Sequence, residues 1–180
     1  MHQPASAASP SIAETIRETT GINATKCYQC GKCSAGCPMA AETTLRPHDI
    51  MRLVGQDRGE RLLDDPAIWL CLSCEACTSR CPNGCDPARV IDALRELGAA
   101  RAPRPISAFH RSFLDQIRSH GRMFELGLVL QYKMRSGALL QDAASTPAML
   151  ARGKLKLAPR RIRGIREVRR LFAATSREDA

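Results

Sequence analysis

Two cysteine runs of identical spacing constrain this chain more than any other feature. Cys27-x2-Cys30-x2-Cys33-x3-Cys37-Pro38 recurs as Cys71-x2-Cys74-x2-Cys77-x3-Cys81-Pro82, an offset of 44 residues. Only 4% of the 180 residues are aromatic, and 11 prolines with 12 glycines break the chain often. Such a chain has little from which to build a large apolar core, so eight thiols at fixed spacing point to a core that is partly inorganic. The start, MHQPASAASPS, lacks a basic stretch followed by an apolar one, so it does not read as a secretory leader. Nine cysteines in that context favour metal or redox chemistry over a disulfide scaffold. No run approaches the roughly 18 consecutive apolar residues of a membrane span. The sequence therefore predicts a cytoplasmic protein.

Spacing selects the metal. C-x2-C-x2-C-x3-C-P is the arrangement found around a cubane iron–sulfur cluster. Short x2 loops curve so that three thiolates reach three iron corners, and their amides can hydrogen-bond to sulfur. The fourth cysteine precedes a proline that turns the chain away, and in two-cluster proteins it serves the other cluster. This predicts one [4Fe-4S] cluster on Cys27, Cys30, Cys33 and Cys81, and a second on Cys71, Cys74, Cys77 and Cys37. Structural zinc usually takes two C-x2–4-C pairs, which explains two complete runs of four poorly. Cys85 is left over, and is expected to be a small buried apolar side chain rather than an iron ligand. Gly31, Gly36 and Gly84 are expected to let backbone pass close to sulfur. Lys32 and Arg80 read as solvated charges beside the runs.

The remaining signals are helical, and an all-α fold of five to seven helices is expected. Ser11 and Glu14 make a capping box for a helix from Ile12 to about Thr20, stopped by Gly21. Pro47 suits a first helical position before Ile50, Met51, Leu53 and Val54. Asp65–Pro66 and Asp86–Pro87 repeat that start, the second leading into Val90, Ile91, Leu94 and Leu97 before Gly98. Each cysteine run is thus followed by a helix, which suggests a pseudo-twofold helical unit. Residues 101–105 read as a linker. Ile106, Phe109, Phe113, Leu114 and Ile117 form an apolar face that ends near His120–Gly121, and a second helix carries Phe124, Leu128 and Val129 or Tyr132. Residues 136–150 read as loop.

Charge is divided unevenly. Residues 1–100 hold 10 Lys/Arg against 12 Asp/Glu, net −2, whereas residues 101–180 hold 17 against 6, net +11, for the overall +9. The expected organisation is a flexible stretch at 1–10, a dicluster domain at 11–100, and a helical, basic extension at 101–180. Between residues 151 and 172, Leu155, Leu157, Ile162, Ile165, Val168, Leu171 and Phe172 interleave with the basic residues. That pattern suits docking to a protein partner better than a membrane surface.

Sites for other chemistries are missing. The sequence has no G-x-G-x-x-G or P-loop wording, and no nucleophile with its base. His2, His48, His110 and His120 form no ligand run. No catalytic residue is expected, and electron transfer is the predicted role. A nucleic-acid partner is not expected: the basic stretch lacks stacking aromatics and no helix-turn-helix is evident.

The wording Cys27-Tyr-Gln-Cys-Gly-Lys-Cys-Ser-Ala-Gly-Cys-Pro-Met39 and Cys71-Leu-Ser-Cys-Glu-Ala-Cys-Thr-Ser-Arg-Cys-Pro82 resembles the HdrC polypeptides of heterodisulfide reductases and HdrC-like proteins. His120-Gly-Arg-Met-Phe-Glu125 and the Gly153–Lys154 region extend the likeness over about 12–172. The resemblance implies an alpha-helical ferredoxin carrying two [4Fe-4S] clusters, relaying electrons between an HdrA-like flavin subunit and an HdrB-like catalytic subunit in a hetero-oligomer. It leaves the substrate open between the coenzyme M–coenzyme B disulfide and bacterial sulfur oxidation, the latter weakly preferred on Arg- and Ala-rich composition. A free diffusible dicluster ferredoxin, or the iron–sulfur subunit of another flavin-linked oxidoreductase, are the alternatives.

Overall fold

The computed structural model describes residues 10–139, 152 and 158–178. They fall into two compact units, one ending at Ala102 and the other beginning at Pro103. Among the described residues there are helices and turns and no strand. Gly153, Lys154, Leu155, Leu157 and nearly all of the 136–150 stretch lie outside the described residues, as do residues 1–9.

In the first unit, helix α1 (Ile12–Thr20) opens on the reciprocal cap. Glu14 N donates to Ser11 Oγ at 3.2 Å, and Ser11 N donates to Glu14 Oε2 at 3.0 Å. Gly21 ends it at φ 76, donating its N–H to the Arg17 carbonyl. Three single-turn helices follow in the cysteine regions: α2 (Lys32–Ala35), α4 (Ala67–Leu70) and α5 (Ala76–Ser79). Two longer ones carry most of the core, α3 (Pro47–Gly55) and α6 (Pro87–Leu97). The Asp65–Pro66 start is shifted by one residue: the helix begins at Ala67, and Asp65 Oδ1 accepts from the Ala67 amide at 2.8 Å. Three short 3-10 turns complete the unit, Ala24–Lys26, capped by Asn23 Oδ1 accepting from the Thr25 amide at 3.0 Å, Gly59–Leu62 and Ala99–Arg101.

Both halves of the repeat feed one core. Ile16, Val54, Leu62, Ile68, Val90 and Leu94 are fully buried in it, each contributing roughly 1.5–3 kcal/mol. Trp69 packs against its edge.

The repeat has two registers. Cysteine positions superimpose at 44 residues, but the following helices superimpose at 40, Pro47 on Pro87, because the connector after Cys37 is four residues longer. Equivalent contacts recur across both registers. The His48 amide donates to Ser34 Oγ at 3.1 Å, and the Ala88 amide donates to Thr78 Oγ1 at 3.4 Å. The Ala24 and Ile68 carbonyls are equivalent as well. The first lies 3.1 Å from where a Cβ on Gly55 would stand, and the second accepts from Arg95 Nε at 2.6 Å. The same fold position is thus filled by close backbone packing in one half and by an arginine in the other.

The second unit contains α7 (Arg104–His120), α8 (Glu125–Ser136) and α9 (Ile165–Glu178). The expected linker is short, since α7 already begins at Arg104. Its expected apolar face is covered only in part: Ile106, Phe113 and Ile117 are half-buried and Phe109 and Leu114 about half exposed, whereas Ala108, Ser112 and Gln116 are buried. Small side chains spaced four apart let α8 approach closely, and a Cβ on Gly127 would stand 2.8 Å from Gln116 Oε1. Arg135 fastens the pair to Asp115 at 2.6 Å, and Phe109 meets Tyr132 edge-on at 6.4 Å. Leu128 is buried as its face predicts, while Val129 is largely exposed. Ile162 N donates to the His120 carbonyl at 3.1 Å, beginning the return of the chain along α7.

Candidate metal centre

The cysteine loops owe their shape to an unusual backbone that the repeat reproduces. Gln29 and Ser73 have φ 56 and 49, and Gly31 and Glu75 have φ 75 and 57. A left-handed conformation costs a non-glycine residue about 1–2 kcal/mol. Three such residues inside C-x2-C-x2-C loops indicate that loop curvature is worth more than local comfort. Curled this way, the Ser73 amide reaches Cys71 Sγ at 3.4 Å, and Gln29 Nε2 reaches Cys27 Sγ at 3.3 Å.

Each loop bends around a cavity, and each cavity takes its fourth thiol from the other half. Cys71, Cys74, Cys77 and Cys37 all line one space of about 510 Å3, measured with its open mouth. Cys27, Cys30, Cys33 and Cys81 all line another of about 350 Å3. The eight cysteines of the two runs therefore line two cavities, four to each. Cys30 and Cys74 are exposed at the rims, while Cys33 and Cys77 are buried. All nine cysteines are free thiols.

The donor set can be tested against a cubane. Among the described residues, no three His, Cys, Asp or Glu side chains converge closely enough to hold one metal ion. A cubane offers each thiolate its own iron corner, so it needs four sulfurs spread around a body and not gathered about a point. Thiols that line the walls of a cavity, within loops curved toward it, fit that requirement.

Thiol energetics differ around the sites. Burial pushes the Cys77 thiol up to about 11, and burial also raises Cys33 against an opposing hydrogen bond from Ser34. Ligation must therefore displace a firmly held proton at these two positions. At Cys81, burial is outweighed by the amides of Cys85, Asn83 and Gly84, which hold the thiol below its ordinary value. The Cys85 amide lies 3.3 Å from Cys81 Sγ.

Cys85 is buried in the core, as expected, but it also lines the cavity of Cys27, Cys30, Cys33 and Cys81. Burial first, then the nearby Cys81 and Cys27, push its thiol up. We expect Cys85→Ala to keep both clusters and to cost about 1 kcal/mol for the lost volume. Iron analysis and a thermal melt of the holoprotein check this, and loss of a whole cluster would make Cys85 a ligand. His48, which belongs to no ligand run, lines the same cavity. Superposing Pro47 on Pro87 is the sequence operation that finds both, since it aligns His48 with Ala88 and Leu45 with Cys85. Of the glycines, Gly31 lines that cavity, whereas Gly36 makes room for the Arg80 guanidinium, which occupies the space a Cβ would take. Arg80 is exposed, as a solvated charge should be, and its side chain lies over the backbone of the opposite half.

The profile of a 4Fe-4S dicluster domain matches residues 23–85. The HdrC polypeptide of the H2:CoB–CoM heterodisulfide, ferredoxin reductase of Methanothermobacter thermautotrophicus is 30% identical over 84 residues, 47% of this chain and 44% of its own. One of the HdrC iron–sulfur polypeptides of the CoB–CoM heterodisulfide reductase of Methanocaldococcus jannaschii is 32% identical over 107 residues, 56% of each chain. An HdrC-like protein of Archaeoglobus profundus is 34% identical over 89 residues, 49% of this chain and 47% of its own. The chain thus spans about half the length of the curated relatives it matches, and the alignments are shorter than the 12–172 span of the motif likeness.

Proposed function

From the premise that this is an HdrC-like 4Fe-4S dicluster subunit, homologous to archaeal HdrC proteins, we propose that it relays electrons inside a heterodisulfide reductase-like complex. Cys27, Cys30, Cys33 and Cys81 hold one [4Fe-4S] cluster, and Cys71, Cys74, Cys77 and Cys37 hold the other. The observation that carries this reading is the lining of two cavities by those two sets of four. The clusters supply one-electron redox chemistry. The chain's own residues supply thiolates and curved loops, with Cys33 and Cys77 buried and Cys30 and Cys74 exposed at the rims.

The partners are an HdrA-like flavin subunit and an HdrB-like subunit that processes thiols and disulfides. Neither a nucleotide loop nor an acid–base pair in this chain supports catalysis of its own. Among the described residues no helix is long and apolar enough to cross a membrane. A cytoplasmic location suits nine cysteines that must stay reduced until iron binds. The 101–180 extension, with its exposed Phe109, Leu130, Met134 and Leu171 among basic residues, serves docking to those partners.

Anaerobic purification of the native assembly tests the proposal. Flavin-containing and disulfide-processing subunits should copurify in fixed ratio, and the isolated chain should reduce no disulfide. Substrate-linked turnover by the chain alone, free of flavin and partner, would overturn the relay reading. Purification as a free carrier would favour a diffusible ferredoxin.

A further inference from the structure

The pseudo-twofold gives several residues around one cavity a counterpart around the other, so those differences can be read position by position. Beside Cys71, Cys74, Cys77 and Cys37 stand Leu45, Met39, Ala88 and Glu75. Their counterparts beside Cys27, Cys30, Cys33 and Cys81 are Cys85, Asn83, His48 and Gly31. Two apolar groups are replaced by polar ones, a leucine by a cysteine, and a carboxylate by nothing.

We propose that these differences make the Cys27, Cys30, Cys33 and Cys81 site the resting place of the first electron. The Cys71, Cys74, Cys77 and Cys37 site is then the more reducing step before it. The inference rests on the crossed two-cluster reading and adds an order to it.

The warrant is electrostatic. An added electron raises the negative charge of a thiolate-bound cluster, so nearby N–H donors and cations favour the reduced form, while apolar walls and carboxylates disfavour it. At the polar site the Cys85 amide donates to Cys81 Sγ at 3.3 Å, whereas the counterpart Leu45 amide goes to Thr43 Oγ1 at 3.3 Å. Asn83 brings a side-chain amide, held by the Lys26 carbonyl at 2.5 Å, where Met39 has none. His48 Nδ1 is 2.6 Å from Ser34 Oγ, which already accepts the His48 amide. The other ring nitrogen, Nε2, lies 3.6 Å from Asp49 Oδ1. Lys32 sits between two of the thiols.

At the apolar site, exposed Glu75 lines the cavity between Cys74 and Cys77. Two cations oppose it there: Arg95 holds the Cys71 carbonyl and the Ser73 hydroxyl, and the Arg80 guanidinium lies against Gly36, next to Cys37. The Arg95 charge is matched by Asp92 at 3.2 Å, and Glu75, between Cys74 and Cys77, is nearer the thiols of its run in sequence than Arg80 is.

The step is simple in balance. One electron leaves the reduced Cys71-side centre, which is oxidised, and enters the oxidised Cys27-side centre, which is reduced. No bond forms or breaks and no proton moves. The electron comes from a one-electron donor, reduced flavin in the proposed assembly and dithionite in the test.

The test is a potentiometric titration of anaerobic holoprotein followed by EPR. Glu75→Gln should raise the lower midpoint and leave the upper one in place. His48→Ala with Asn83→Met should lower the upper midpoint by about tenfold in the reduction equilibrium, 59 mV for one electron. Should that pair fail to fold, Glu75→Gln on the surface decides alone. Movement of the upper midpoint by Glu75→Gln reverses the order and overturns the proposal, as would two coincident midpoints in the unaltered protein. A load of about four irons per chain instead overturns the two-cluster reading beneath it.

Discussion

Cys81→Ser is expected to empty the site of Cys27, Cys30 and Cys33, and Cys37→Ser to empty the site of Cys71, Cys74 and Cys77. The unaltered chain should carry about eight irons and eight labile sulfides, with two magnetically interacting cubanes on reduction, and each variant about four. Paired substitutions decide the crossing. Cys27→Ser added to Cys81→Ser should remove nothing further, because both act on one cluster, whereas Cys71→Ser added to Cys81→Ser should remove the rest. Iron and sulfide analysis with EPR reads the result. The opposite pattern would mean that each run closes its own site, against the sharing of cavities between halves.

Removing iron from the intact protein should unfold the first unit and spare the second. The elements next to the cysteines are α2, α4 and α5, four residues each. Helices that short do not persist without tertiary support, because nucleation costs more than one turn returns. Strained residues at 29, 73 and 75 add to that cost. The longer α7 and α8 owe nothing to the cavities, being joined to each other at Arg135 and Asp115. Anaerobic chelation should therefore speed proteolysis between Cys27 and Cys81 by about a hundredfold, equivalent to about 3 kcal/mol. Cleavage within 104–136 should change little. Equal protection before and after chelation would show a core able to stand on its side chains alone.

What can be read from the sequence follows from how locally each feature is encoded. Ser11, Pro47, Asp86 and Gly21 mark helix ends through their own hydrogen bonds and dihedrals, so α1, α3 and α6 are legible. The curvature of the cysteine loops is legible for the same reason, since it follows from a fixed local spacing. Less local features escape. Periodicity favours Phe109 and Leu114 as the buried side of α7. Which face is buried depends instead on how near α8 can approach, and small Ala108 and Ser112 allow that. His48 and Cys85 are hidden as cavity residues because they stand outside the repeated runs. Their place is set by a connector four residues longer in one half, visible only when the helices are aligned separately from the thiols.

Cavities walled from both halves carry a hazard: two chains could complete each other's sites by exchanging halves, a domain swap. The chain between the cysteine runs works against it. Met51, Val54, Leu62 and Ile68 lie within that stretch and are buried, so the connection is a folded part of the core and not a slack tether. A swap would first have to open this core, and its closure keeps each half at a high local concentration with its own sister. The same residues that supply the apolar core thereby keep assembly of the metal sites a private matter of one chain.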